Sequence, residues 1–245
     1  MSATTPFSLQ QFFAGYTLAI NKPLRWTSHD VVNKIKIAAN NLKLKNEEGQ
    51  PMKLKIGHAG TLDPLATGLL IICTGKQTKT IDLIQAQTKI YTGTITLGAT
   101  TPSFDLEHEP DTFFPVDHIT EEKILAATKK FTGTIQQIPP AHSAIKIDGK
   151  RAYKSARAGE QITMPTKEVT VHSFDIKRIA MPQIDFEVSC TKGTYIRSLA
   201  NDFGVELNSG AYLSALCRTG IGQYNVTDAW ALDDFIAMLN AENKM

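Results

Sequence analysis

Cysteine is scarce in this sequence of 245 residues, and charges of opposite sign nearly cancel. The three cysteines, Cys73, Cys190 and Cys217, lie far apart and form no C-x-x-C pair, which excludes the common zinc and thiol-redox motifs. We therefore expect no metal and no redox cofactor, and reduced thiols fit a cytoplasmic protein. Lysine and arginine (26) barely exceed aspartate and glutamate (24), so the net charge of +2 does not by itself indicate a nucleic-acid partner.

Long apolar runs are also missing. No stretch is long enough to cross a bilayer, and residues 1–6 lack the basic and apolar regions of a secretory signal. The sequence thus predicts a cytoplasmic protein with no membrane partner. With 42% hydrophobic residues, the chain is long enough to bury one large core or two small ones.

The charges that are present are unevenly distributed. Residues 22–55 hold eight basic and three acidic residues, a local +5, and residues 123–157 hold eight basic residues and one acidic residue, a local +7. Residues 105–122 between them hold seven acidic residues and no lysine or arginine. Such a distribution permits a surface that binds a phosphate backbone, although ordinary solvated helix faces explain it equally well.

Hydrophobic periodicity predicts an α+β fold with a mixed sheet, because strands dominate the centre of the chain and helices separate them. Strands are predicted over residues 16–20, 70–74, 91–97, 169–179, 183–190, 211–216 and 222–226. Helices are predicted over residues 28–42, 76–85, 121–131, 194–207 and 233–239, with Ser28 as the N-cap of the first. Residues 136–159, rich in proline and basic residues, are predicted to form a mobile arm that becomes ordered on a polyanion.

The most informative segment is residues 57–70, which contain a carboxylate, an imidazole and three glycines and lead directly into an apolar run. A turn held by a buried strand can present the Asp63 side chain to a substrate. The alternative is structural. Asp63 followed by Pro64 is also typical of a helix start, where the carboxylate caps a backbone N–H group.

Four segments, in this order, resemble those of the TruB family of tRNA pseudouridine synthases. They are residues 21–23 (NKP), 57–68 (GHAGTLDPLATG), 89–91 (KIY) and 192–197 (KGTYIR), the last followed by 210–216 (GAYLSAL). The resemblance covers about residues 16–230. It implies a pseudouridine synthase fold, in which helices and loops flank a central mixed, mainly antiparallel sheet. It also implies a single catalytic domain over residues 1–245, with a thumb-like insertion at about 134–160, a C-terminal helix at 231–245 and no PUA domain.

The resemblance also implies roles for individual residues. The catalytic residues would be Asp63, Tyr91 and Arg197. Arg197 would keep the Asp63 carboxylate ionised and oriented, and Tyr91 would stack on the uracil and could accept a proton from the sugar. Substrate-binding roles fall on His58, Tyr195, Leu216, Lys22 and Asp105. In the arm, Lys146, Lys150, Arg151 and Lys154 would hold the tRNA stem-loop. The chain departs from the family at Pro102, which stands where many members have an acidic residue.

The implied activity is isomerisation of uridine to pseudouridine at position 55 in the T-loop of tRNA. No cofactor and no obligatory protein partner are expected, and the enzyme would act as a monomer. Three alternatives stay open: a non-catalytic RNA-binding or RNA-folding module on the same scaffold, a guide-dependent synthase acting on ribosomal RNA, and a nucleoside glycosidase. The first predicts function without Asp63. The last predicts activity on free uridine.

Overall fold

The computed structural model describes two compact units, one formed by residues 1–87 and 217–245 and the other by residues 88–216. The residues described are 7–143, 145–147, 149–152, 158, 160 and 163–242. The helices are α1 (Leu9–Gly15), α2 (Ser28–Asn41), α3 (Ile81–Ala86), α4 (Glu121–Lys130), α5 (Ile196–Glu206) and α6 (Leu232–Glu242). The strands are β1 (Thr17–Lys22), β2 (Ile56–His58), β3 (Ala66–Thr74), β4 (Lys89–Leu97), β5 (Ala99–Thr100), β6 (Thr112–Phe113), β7 (Gly133–Gln137), β8 (Lys146–Ile147), β9 (Lys150–Arg151), β10 (Lys167–Ala180), β11 (Gln183–Cys190), β12 (Ala211–Ile221), β13 (Tyr224–Asn225) and β14 (Trp230–Ala231).

The sheet of the first unit is centred on β3. Strands β1 and β2 both pair antiparallel with β3, and the short β14 lies parallel to β1. From Gly68 to Thr74 every residue of β3 is buried. Helices α2 and α6 contribute Val31, Ile35 and Phe235 to the core on this sheet. Because β3 is covered on both faces, it is a continuous apolar run rather than an alternating one.

The first turn of α2 corrects one prediction. Thr27, and not Ser28, is the N-cap: its hydroxyl accepts from the Asp30 N–H group, while the Asp30 carboxylate accepts from the Thr27 N–H group. This reciprocal capping box satisfies two helix-end donors. It leaves the Ser28 hydroxyl free for a tertiary contact, with Leu62.

The second unit is an antiparallel sheet with two helices packed on it. Its strand order is β12, β4, β11, β10, β7, and β4, β11, β10 and β7 pair antiparallel in succession. Helices α4 and α5 contribute to one core cluster with the sheet. Within it, the rings of Phe174 and Phe186 meet edge to face at 5.7 Å, and Phe203 of α5 lies 5.4 Å from Phe174. Edge-to-face pairs of this kind add to the stabilisation from buried area.

The architecture confirms the predicted α+β class with a mixed, mainly antiparallel sheet. Two local predictions were wrong, and the structural alternative for Asp63 does not hold. Residues 76–85 form a 3-10 turn (Gly75–Thr80) before α3 rather than one helix. Gln136 and Gln137 belong to β7, because Lys167–Val171 of β10 provide hydrogen-bonding partners for them. Asp63-Pro64 starts no helix: a turn follows, and β3 begins at Ala66.

The prediction of one catalytic domain stays a prediction, as does the thumb-like insertion. Helix α6 confirms the helix predicted over residues 233–239. Within the part of the chain that the structure describes, no helix has the length and apolar character needed to span a membrane.

The close approach of β3 to Arg218 at Gly68 can be tested by its effect on stability. The φ of Gly68 is +98°, and a Cβ atom there would overlap the backbone of Arg218. We expect Gly68→Ala to lower the free energy of unfolding by about 2–5 kcal/mol, through backbone strain and overpacking. The matched control is Gly49→Ala, since Gly49 has φ +78° but no atom within 4 Å of the added carbon. Equal losses for both variants in urea unfolding would contradict this.

Candidate active site

The turn that carries Asp63 is fixed on both sides of this residue. The Leu62 N–H donates to Ser28 Oγ at 2.8 Å, and the Pro64 carbonyl accepts from the Arg25 N–H at 2.7 Å. Asp63 itself accepts from the Ala66 N–H through its backbone carbonyl, at 3.1 Å, and its side chain is half-buried. The Asp63 side chain therefore starts from a constrained backbone.

Lys22 packs beneath this turn. It is fully buried, and its Nζ donates to the carbonyls of Trp26 at 2.5 Å and Pro23 at 3.0 Å, with the Pro64 carbonyl at 3.5 Å. Burial lowers the pKa of Lys22 from 10.5 to about 8; the Asp63 carboxylate opposes this shift, and Arg218 adds to it. The structure therefore brings Lys22 into electrostatic contact with Asp63, from a position that supports the turn.

The pKa of Lys22 gives a pH test. The pKa of Lys22 is lower in the folded chain than in the unfolded chain, so folding favours the neutral amine. The contribution of Lys22 to the free energy of unfolding is therefore fully present above pH 10.5 and is lost as the pH falls through about 8. Lys22→Met removes this titration. We therefore expect the free energy of unfolding of the wild type to rise relative to the variant between pH 8 and 10.5.

Urea unfolding across that pH range measures the difference. Lys34→Met, at an exposed position of α2, controls for the loss of one positive charge. A difference between wild type and Lys22→Met that stays constant with pH would refute the assignment.

Sequence reasoning missed Arg218. This residue is buried in β12, where its Nε donates to the Leu69 carbonyl at 2.8 Å and its Nη2 to the Gly60 carbonyl at 3.0 Å. The available signal was that Arg218 is the one charged residue among residues 211–221. A charged residue in a buried strand is rarely tolerated without partners.

His58 lies at the end of β2, just before the turn. Burial, and to a lesser extent the Arg218 guanidinium, lowers the pKa of His58 below its ordinary value of 6.5. Its imidazole is therefore neutral at pH 7 and acts as a hydrogen-bonding group rather than a cation. Its predicted contact with RNA stays a prediction.

In the second unit, Arg197 lies in the first turn of α5 and is almost fully buried. Its guanidinium donates to the carbonyls of Ser103 at 3.2 Å and His142 at 3.0 Å. The carboxylate of Asp105 lies 3.6 Å from its Nε. Arg197 thus has a buried acidic partner within its own unit, and its predicted pairing with Asp63 stays a prediction.

The start of the predicted arm is attached to the same turn of α5. Both ends of the buried Gln137 amide bond to the backbone of Tyr195, at 2.8 and 3.0 Å. The Ser198 hydroxyl donates to the Ile138 carbonyl at 2.8 Å. With the bond from Arg197 to His142, three links hold the arm's first residues against α5.

Tyr91 and Leu216 are half-buried and pack against the core cluster of the second unit. Tyr91 lies on β4 opposite Val188, and Leu216 lies on β12. Both side chains pack on this core, and their predicted stacking on a uracil stays a prediction. Their Cα positions are fixed by strands β4 and β12.

The predicted basic arm contains a short hairpin of β8 and β9, in which Lys146 pairs with Arg151. Lys150 is exposed next to Gly149 at the tip. Lys154 lies outside the described residues. Among the residues described, no cluster of three or more histidine, cysteine or acidic side chains is arranged to hold a metal ion.

Comparison with known proteins identifies the chain's relatives. A family model described as "TruB family pseudouridylate synthase (N terminal domain)" matches residues 45–196. The chain is 56% identical to tRNA pseudouridine synthase B of Flavobacterium johnsoniae over 220 residues, covering 90% of this chain and 94% of the relative. It is 49% identical to tRNA pseudouridine synthase B of Parabacteroides distasonis over 229 residues, which cover 92% of this chain and 94% of the relative.

A solved structure of a Cbf5–Nop10–Gar1 complex contains a similar chain, with a TM-score of 0.69 and 27% identity. The match covers 94% of this chain and 56% of that one, so the present chain spans little more than half its length. The family match and the fold agree with the residue patterns around Asp63 and Arg197. The chain belongs to the TruB family of pseudouridylate synthases.

Proposed function

We propose that this enzyme converts uridine 55 in the T-loop of tRNA to pseudouridine, and that Asp63 acts on the ribose of that nucleotide. The observation that carries the proposal is the Asp63 turn, whose backbone is held on both sides by Ser28 and Arg25. A carboxylate that must meet one carbon atom of a large substrate needs such fixed geometry.

The chemistry explains why a carboxylate is required. The bond between C1′ and N1 breaks, the uracil turns, a bond forms between C1′ and C5, the hydrogen on C5 leaves as a proton, and N1 takes up a proton. Asp63 can attack C1′, stabilise positive charge there or remove a proton from the sugar, and each role needs the ionised form. The reaction changes no oxidation state overall, so we propose no cofactor.

A tRNA substrate is supported by the names of the relatives, which are 46–56% identical to this chain. The sequence of the arm supplies positive charge for a phosphate backbone through Lys146, Lys150, Arg151 and Lys154, and Lys150 is exposed at the hairpin tip. Extruding a base from a folded loop costs a few kcal/mol. In this proposal Tyr91 and Leu216 offset that cost by packing on the uracil.

The remaining site residues support the nucleotide. Tyr195 and His58 hydrogen-bond in the pocket, Lys22 supports the Asp63 turn, and Asp105 orients Arg197. Arg197 keeps the catalytic carboxylate ionised. We propose that the protein acts as a cytoplasmic monomer without a protein partner, in contrast to the Cbf5 chains solved in complexes with Nop10 and Gar1.

Tritium release tests the proposal. A T-stem-loop RNA carrying uridine tritiated at C5 is incubated with the wild type, and tritium in the solvent is counted while binding of the same RNA is measured. Release is expected from this RNA and not from free uridine, whose reaction would indicate a glycosidase. Tight binding without release would instead indicate a non-catalytic RNA-binding module.

A further inference from the structure

Arg218 joins the two ends of the Asp63 turn. The donors on its guanidinium are 2.8 Å from the Leu69 carbonyl and 3.0 Å from the Gly60 carbonyl. These residues bracket the segment in which Asp63 lies. One planar group therefore fixes the distance between the points where the chain enters and leaves the catalytic turn.

The two glycines of the turn make this close approach possible. A Cβ atom on Gly60 would lie 3.5 Å from Nη1 of Arg218, and one on Gly68 would overlap the Arg218 backbone. Both residues also have positive φ angles, +108° and +98°. The chain thus bends around the arginine, and its backbone comes close to both the guanidinium and the strand that carries it.

Burial makes this contact rigid. Arg218 is 1% exposed, so its charge is removed from water and depends on these carbonyl groups. A buried guanidinium that lost a carbonyl partner would leave a donor unsatisfied, and this penalty holds the bonds in place. Ser28 and Arg25 fix the middle of the turn, and Arg218 fixes its ends.

We propose that Arg218 is a positioning residue for Asp63: by holding Gly60 and Leu69 together, it sets where the catalytic carboxylate stands relative to the ribose. The inference rests on the proposed role of Asp63. Arg218 would affect the placement of the Asp63 carboxylate but not the binding of RNA. Loss of the clamp should lower kcat and leave RNA affinity unchanged.

Arg218→Lys is the first test, because it keeps the buried charge but not the planar pair of donors. We expect kcat for tritium release to fall roughly 10²-fold, the effect of a misplacement near 1 Å, with the Kd for the stem-loop RNA unchanged. Hydrogen exchange should become faster in the peptide covering residues 60–69 and stay unchanged elsewhere. The control is Arg178→Lys on β10, whose exposed guanidinium pairs with Asp185 at 2.7 Å.

Arg218→Met removes the charge as well, and its folded fraction is expected to lose more kcat for tritium release than Arg218→Lys does. Unchanged kcat and unchanged exchange in residues 60–69 for Arg218→Lys would overturn the inference. Faster exchange over the whole chain, with kcat falling only with the folded fraction, would also overturn it. If the wild type itself releases no tritium, the proposed function fails, and exchange in residues 60–69 still decides whether Arg218 holds the turn.

Discussion

Replacement of Asp63 by asparagine is expected to abolish pseudouridine formation, by at least about 10³-fold in the single-turnover rate, while RNA binding persists. Asparagine has the same shape but no negative charge, so it can neither attack the sugar nor stabilise a cation there. The turn itself should survive, because bonds to the backbone of Leu62, Asp63 and Pro64 hold it, and the substitution leaves these bonds in place.

The same variant has a second, independent readout. The Asp63 carboxylate raises the pKa of Lys22 against the effect of burial. Asp63→Asn should therefore lower the pKa of Lys22 further below about 8, which NMR of the labelled lysine side chain measures. Asp185→Asn is the matched control, since its half-buried carboxylate pairs with the exposed Arg178. Full activity in Asp63→Asn, or loss of activity in both variants, would contradict the assignment.

Replacement of Arg197 by methionine is expected to lower the free energy of unfolding by about 3–5 kcal/mol, the cost of leaving a buried charge without its partner. The orphaned charge is the carboxylate of Asp105, whose side chain is 8% exposed and lies 3.6 Å from Nε of Arg197. The carbonyls of Ser103 and His142 lose their donors as well. Urea unfolding measures the loss.

A double variant separates stability from catalysis. Asp105→Asn added to Arg197→Met removes the orphaned charge, so part of the lost stability should return. Tritium release should not return, because the guanidinium proposed to act on Asp63 is still absent. Lys130→Met, in an exposed pair with Glu206, is the control and should cost no more than about 1 kcal/mol. Recovery of activity in the double variant would assign Arg197 a purely structural role.

Elements with a clear period could be predicted from the sequence, and so could the turn at Asp63 that leads into a buried strand. The apolar spacing of Val31, Val32 and Ile35 predicted α2, and alternation over residues 91–97 predicted β4, because each pattern reflects a buried face. The N-cap of α2 was wrong by one residue. Thr27 and Ser28 both offer a hydroxyl, and the choice depends on Leu62, which bonds to Ser28 from 34 residues away.

What the sequence did not reveal depends on long-range contacts. Arg218 meets Leu69 and Gly60 at separations of 149 and 158 residues, so no local pattern indicates its role. Asp105 meets Arg197 only through the fold, although each residue was predicted to belong to the site. The 3-10 turn before α3 replaced a predicted helix over a segment with no buried residue, where the amphipathic signal is weak.

The most direct test of the account is to map the modified nucleotide in an intact tRNA. An unmodified transcript is treated with wild-type enzyme, reacted with a carbodiimide that marks pseudouridine, and read by reverse transcription, beside a transcript with cytidine at position 55. We expect one stop, immediately 3′ of position 55, which is absent from the cytidine transcript and from a reaction with Asp63→Asn. A stop at another uridine, or none despite tight binding of the tRNA, would contradict it.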